Sequence, residues 1–178
     1  MEEREKLVRE KILEEEFIDR MHLSGIKMKV LEMLTKEKMF DPADIEIDPE
    51  FRLTLGDSEF VASIDFIVNC HSVSFMVMRC ATAIESWERY IVSFARVIKD
   101  YQIPYAVVTD GDKARIIDVL KGTLAGESIN RIFNKEEVLE KIKDFKKVPC
   151  PSNRLEREKR IVYAFEGIKC PTQEDPGD

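Results

Sequence analysis

Few side chains in this sequence are spaced for chemistry. Cys70, His71 and Cys80 stand close enough to meet across a hairpin and touch a zinc ion. Zinc usually takes four ligands, often supplied as closely spaced pairs, and no fourth is at hand. The cysteines at 70, 80, 150 and 170 include no CxxC pair, so buried thiols are expected and no disulfide framework. The glycines of 121–127 lack phosphate-loop spacing, and no GKS or GKT occurs. Glu85 and Glu88 open a helical stretch, where acids favour the helix dipole without catalysing anything. Two charges stand inside apolar stretches: Asp65 in ASIDFIV and Arg79 in VSFMVMRCA. Finally, residues 141–160 hold eight Lys or Arg against Asp144, Glu156 and Glu158, a local +5. A solvated helix face is the plain reading of that run. Lys143, Lys146, Lys147, Arg154 and Arg157 are its candidates for contact with nucleic-acid phosphates.

The whole chain has 178 residues, 44% apolar and 35% charged, with a net charge of −7. That is the size of one domain, and the composition excludes a disordered or collagen-like chain. No apolar run approaches the ~18 residues that span a bilayer. The start, MEEREKLVREKILEEE, has no apolar signal core, so a cytoplasmic location is expected. An acidic chain is also a poor autonomous DNA binder, because such affinity comes largely from neutralising phosphates.

The positions of these groups depend on the elements that carry them. Residues 1–22 predict a helix with Leu13, Phe17 and Met21 in one row and Val8 and Ile12 in another. Two rows facing different ways predict a helix gripped from two sides, with a second copy of the chain as one neighbour. Ser24-Gly25 interrupts the pattern, and Ile26, Val30, Met33 and Leu34 predict a second, one-sided helix. From residue 45 the period becomes two, and strands over 51–55, 60–68 and 73–81 predict an antiparallel meander. Ile84, Trp87, Ile91, Phe94, Ile98 and Tyr101 follow a 3-4-3-4-3 spacing, that of an amphipathic helix with Trp87 in the core. A buried strand over 105–109 and a partner over 114–119 flank Asp110-Gly111, with a loop at 121–127. Asn134 and Glu137 open a helix to about 147, and Ser152 caps another to about 166. The expected domain covers 1–170, its core about 25–120 and its C-terminal helices 134–166, with a frayed tail at 171–178.

The order helix, three strands, helix, strand, together with IEIDPEFRL, ASIDFIV, VSFMVMRCA and SFARVIKDYQIPYAVVTDGDKARIID, resembles the PD-(D/E)xK nuclease superfamily. The likeness is closest to the N-terminal nuclease domain of type I restriction enzyme R subunits, and it covers about residues 25–120. It implies an α/β fold with a restriction-endonuclease-like αβββαβ core, a mixed central sheet and added terminal helices. It also implies a site. In that superfamily an acid on the second strand and a Glu-x-Lys on the third hold Mg²⁺, which stabilises the transition state and activates water. The lysine adds positive charge beside the attacked phosphate.

Asp65 falls on the first acidic position, whereas the Glu-x-Lys positions fall on Arg79 and Ala81. The metal-binding glutamate has become a cation and the lysine a methyl group. The helix that often carries a glutamine four residues before a tyrosine has Tyr90 and Phe94 instead, and Leu23 and Ser24 stand where another acid is offered. The expectation is a pseudo-nuclease in which Arg79 pairs with Asp65 and its guanidinium fills the metal position. No cofactor is expected. The alternative is an Mg²⁺-dependent nuclease that keeps Asp65 as a ligand and recruits Glu85, with Lys99 as a remote base. The expected partners are nucleic acid or a restriction or DNA-processing protein, with no membrane, and a structural homodimer is a third reading.

Overall fold

The computed structural model describes residues 2–169. The apolar row that begins at Ile26 belongs to a single helix, α1 (Glu2–Glu32), which ends in a π-helical turn, Met33–Glu37. The expected break at Ser24-Gly25 is absent. A glycine inside a helix costs about 1 kcal/mol relative to alanine. Gly25 meets nothing within 4 Å, while Ile26, Val30 and Leu34 are buried just beyond it. Burial there outweighs the propensity cost.

The described residues form eight strands: β1 (Ile45–Ile47), β2 (Glu50–Leu55), β3 (Ser58–Ser63), β4 (Phe66–Cys70), β5 (Val73–Cys80), β6 (Tyr105–Thr109), β7 (Lys113–Asp118) and β8 (Thr123–Ser128). Six form one mixed sheet in the order β1-β4-β5-β6-β7-β8, with only β5 and β6 parallel. That parallel pair needs a crossover, supplied by the short 3-10 turn Ile84–Trp87 and α2 (Glu88–Val97). The helical row expected to reach Tyr101 stops earlier. Tyr101 lies in the following loop, yet it is buried with its hydroxyl accepting the Ser74 N–H at 2.8 Å.

The expected meander is also corrected. The β2–β3 hairpin is a separate two-stranded sheet, and the run over 60–68 breaks at Ile64-Asp65 into β3 and β4. The loop expected at 121–127 is largely the edge strand β8, mostly exposed and so without an apolar alternation to announce it. The helix expected from Asn134 is α3 (Lys135–Ile142), opened by a capping box in which Asn134 and Glu137 satisfy each other's backbone N–H groups. The last helix is α4 (Ser152–Lys169). The expected tail at 171–178 lies outside the described residues, as does Cys170.

One face of the large sheet buries Phe66, Met76, Met78 and Cys80 against Ile26, Val30 and Leu34 of α1 and Val138 of α3. The other buries Ile67, Val77 and Ala81 against Tyr90, Ile91 and Phe94 of α2 and Val162 of α4. This is a mixed α/β fold, helices covering both faces of a mixed sheet. Among the described residues no helix is long and apolar enough to cross a membrane.

Candidate functional site at the start of strand four

Asp65 occupies the gap between β3 and β4, and the chain turns there for an identifiable reason. The last cross-strand pair of β4 with β5 at this end is Phe66 with Met78. Cys80, two residues further along β5, therefore lacks a backbone acceptor from β4. Asp65 supplies one: its Oδ2 accepts the Cys80 N–H at 2.7 Å. The main chain of Asp65 is held as well, since its carbonyl accepts the Asp48 N–H at 2.9 Å and the Ile64 N–H donates to the Pro49 carbonyl. Asp48 has φ +50°, a left-handed conformation that aspartate tolerates better than most residues. These bonds bring two carboxylates, Asp48 and Asp65, to one end of the sheet.

The cation between them is Lys27. Its Nζ lies 3.5 Å from Asp65 Oδ1 and is ion-paired and hydrogen-bonded to Asp48 Oδ1. Lys27 is placed there because Ile26 and Val30, on either side of it along α1, are buried against the sheet. Burial pulls the Lys27 ammonium down, but the bonds and negative charge of Asp48 and Asp65 outweigh it and hold the group above an ordinary lysine. Beside it, burial first and Asp65 second push the Cys80 thiol up to about 12. That thiol is a packing group, not a nucleophile.

Arg79 does not pair with Asp65. Along β5 its alternates Val77 and Ala81 face α2 and α4, whereas Met78 and Cys80 face α1. The Arg79 guanidinium therefore stacks on Trp87, 3.8 Å from the ring centroid, with Tyr90 at 5.5 Å. Its Nε is buried with no acceptor among the described residues. Phe165 of α4 packs on both rings, and the Tyr90 hydroxyl donates to the Ser63 carbonyl at 2.8 Å while bonding Glu166. Trp87 is thus half-buried core, as expected, and also a platform for the arginine. Ala81 is buried, its N–H donating to the Thr109 carbonyl at 2.9 Å.

The other candidates lie elsewhere. Glu85 is exposed and opens, with Glu88, Arg89 and Arg115, onto a concavity between α2 and the β7–β8 edge that Asp65 does not line. Every cation of that concavity has a carboxylate: Arg115 has Glu88 and Glu127, Lys121 has Asp118, and Arg89, Arg96 and Arg154 share Glu158. Cys70 and Cys80 are both buried, at opposite ends of the β4–β5 hairpin, so they do not converge with His71 on one ion. Among the described residues no three His, Cys, Asp or Glu side chains gather as a metal-holding group. Lys143, Lys146, Lys147, Arg154 and Arg157 are all exposed. Lys147 sits 5.0 Å over the Tyr101 ring, Lys143 pairs with Glu140, and Arg154 reaches Glu158 at 3.9 Å.

Sequence reasoning missed Lys27 and Asp48. Only adjacency marks Lys27, next to the buried row of α1, and Lys29 two residues on has the same type and a different partner, Asp112. It also missed Glu158, for which a signal existed. Leu155, Glu158, Val162 and Phe165 follow a 3-4-3 spacing, which puts the acid in an apolar row.

Compared with known proteins, the chain matches no curated protein and no solved structure. One family model does match, over residues 25–132, which runs from the body-packed part of α1 to the end of the large sheet and holds Lys27, Asp48, Asp65 and Arg79. By that match the chain belongs to the family of type I restriction enzyme R protein N termini.

Proposed function

We propose that this restriction-family domain is a pseudo-nuclease, a module that keeps the nuclease scaffold and binds partners without cleaving nucleic acid. The observation that carries the reading is the Lys27 ammonium set between Asp48 and Asp65. Cleavage in the superfamily that the sequence resembles needs a divalent ion held by several oxygens, together with a lysine beside the phosphate. Here an ammonium stands between the two carboxylates, Arg79 faces the opposite side of the sheet, and Ala81 carries only a methyl group. The expectation that the Arg79 guanidinium pairs with Asp65 is not met; the cation beside Asp65 is the Lys27 ammonium from α1. What remains is a rigid surface for nucleic acid or for a protein of a DNA-processing system.

Calorimetry with Mn²⁺ and Mg²⁺ tests this on the full chain. The wild type is expected to give no specific heat of binding and no plasmid cleavage. Lys27→Ala frees both carboxylates and is expected to gain weak, roughly millimolar Mn²⁺ binding. A stoichiometric metal site in the wild type, or metal-dependent cleavage, overturns the reading.

A further inference from the structure

We infer that two copies of this chain associate through antiparallel pairing of the stretch of α1 that lies outside the body. From about Ile26 onward α1 is anchored to the sheet, but before it Leu7, Phe17, Ile18 and Met21 are 62%, 63%, 57% and 60% exposed. At 1.5 Å per residue that stretch is a rod about 36 Å long. Helices in proteins draw most of their stability from packing an apolar face, so one carrying several bare apolar side chains gains from a covering surface.

The residues point to what covers it. Arg4, Leu7, Lys11, Glu14, Ile18 and Met21 follow a 3-4-3-4-3 spacing, a seam of three apolar and three charged side chains along one helix face. Turned antiparallel about a two-fold axis between residues 12 and 13, two such seams set Leu7 against Ile18 of the other copy. Lys11 then meets Glu14 in two symmetric pairs at the centre, and the aliphatic stem of Arg4 lies over Met21. Val8 and Phe17 flank the seam, while Ile12 and Leu13 stay outside it. Beyond the seam, Glu5 comes level with Arg20, Lys6 with Asp19 and Arg9 with Glu16, all of opposite sign; of the charged positions brought level only Glu10 and Glu15 repel. Parallel pairing in register sets Lys11 on Lys11 and Glu14 on Glu14, so charge selects the antiparallel form. The seam ends where α1 enters the body, which leaves one globular body at each end of the rod.

Analytical ultracentrifugation of the full chain at tens of micromolar tests the inference. The wild type is expected at twice the 20.7 kDa chain mass. Lys11→Glu and Glu14→Lys each place like charges at the centre and are expected to weaken association at least tenfold. The double variant restores both pairs and is expected to restore the dimer. Leu7→Asp, at an exposed position that the fold does not use, is expected to give monomers. A monomeric wild type, single reversals without effect, or a double variant no tighter than the singles overturns the proposal. None of these outcomes bears on metal binding at Asp65.

Discussion

At the scale of single residues, Arg79 and Lys27 divide what the sequence alone assigns to one side chain. The cation beside Asp65 was not legible from the motif positions: these put Arg79 there, whereas register along β5 turns Arg79 onto Trp87 and the ammonium comes from α1, which strand spacing does not announce. Arg79 rests on Trp87 and Tyr90 and leaves its Nε without an acceptor. A stack of this kind contributes about 0.5–2 kcal/mol, whereas an orphaned buried donor costs about 1–3 kcal/mol. Arg79→Met, which keeps the stem and removes the donor, is therefore expected to unfold in urea within about 1 kcal/mol of the wild type. Trp87→Ala removes the platform and its contacts with Tyr90 and Phe165 and is expected to cost about 3 kcal/mol or more. A large loss in Arg79→Met would mean that the guanidinium has a strong charged partner after all. Lys27 gives a pH signature of the opposite sign to an acid. Its folded-state value is raised above 10.5, so its contribution is complete below that pH and is lost as pH climbs through the folded value. Thermal melts of the wild type and Lys27→Met should differ below pH 10 and converge at higher pH.

At the scale of elements, α4 shows a polar anchor inside an apolar stripe. Glu158, 1% exposed, accepts Arg96 at 2.9 Å and the Ser93 hydroxyl, with Arg89 at 3.4 Å, and so fixes where α4 lies on α2. Arg96 in turn donates to the Val119 carbonyl at 2.9 Å, which ties the pair to the end of β7. Burial raises the Glu158 carboxyl, but Ser93, Arg89 and Arg96 outweigh it and hold the group below its ordinary 4.5. Its contribution is thus complete above pH 4.5 and is lost as pH falls through the lower folded value. Removing one partner of a buried pair typically costs about 3–5 kcal/mol. Glu158→Gln is expected to lower the melting temperature at pH 7, with the gap to the wild type closing below pH 4. Most elements were legible in the sequence, and the failures share a cause. The break at Ile64-Asp65, the continuity of α1 past Gly25 and the edge strand β8 are each decided by tertiary partners: the Cys80 N–H, the sheet under Ile26 and Val30, and the β7 ladder. Periodicity carries no information about these. The capping box at Asn134 was legible because both partners lie within four residues.

At the scale of the whole molecule, a net charge of −7 opposes nucleic acid, so any binding must be local, and the number of free cations sets its strength. Five exposed candidates do not mean five phosphate contacts. Lys147 lies over the Tyr101 ring, Lys143 pairs with Glu140 and Arg154 leans on Glu158, which leaves Lys146 and Arg157 as the cations most available to phosphate. Each phosphate neutralised on a duplex contributes about −0.9 to the slope of log affinity against log salt, so two contacts predict a slope near −2. A gel-shift titration from low to moderate salt measures it. Lys146→Glu with Arg157→Glu is expected to flatten the slope by about two contacts and to weaken low-salt binding, while the melting temperature holds because both side chains are exposed. Binding that persists unchanged in the double variant would place the nucleic-acid surface elsewhere on the domain. An absence of any shift at the lowest salt would leave protein as the partner of this scaffold.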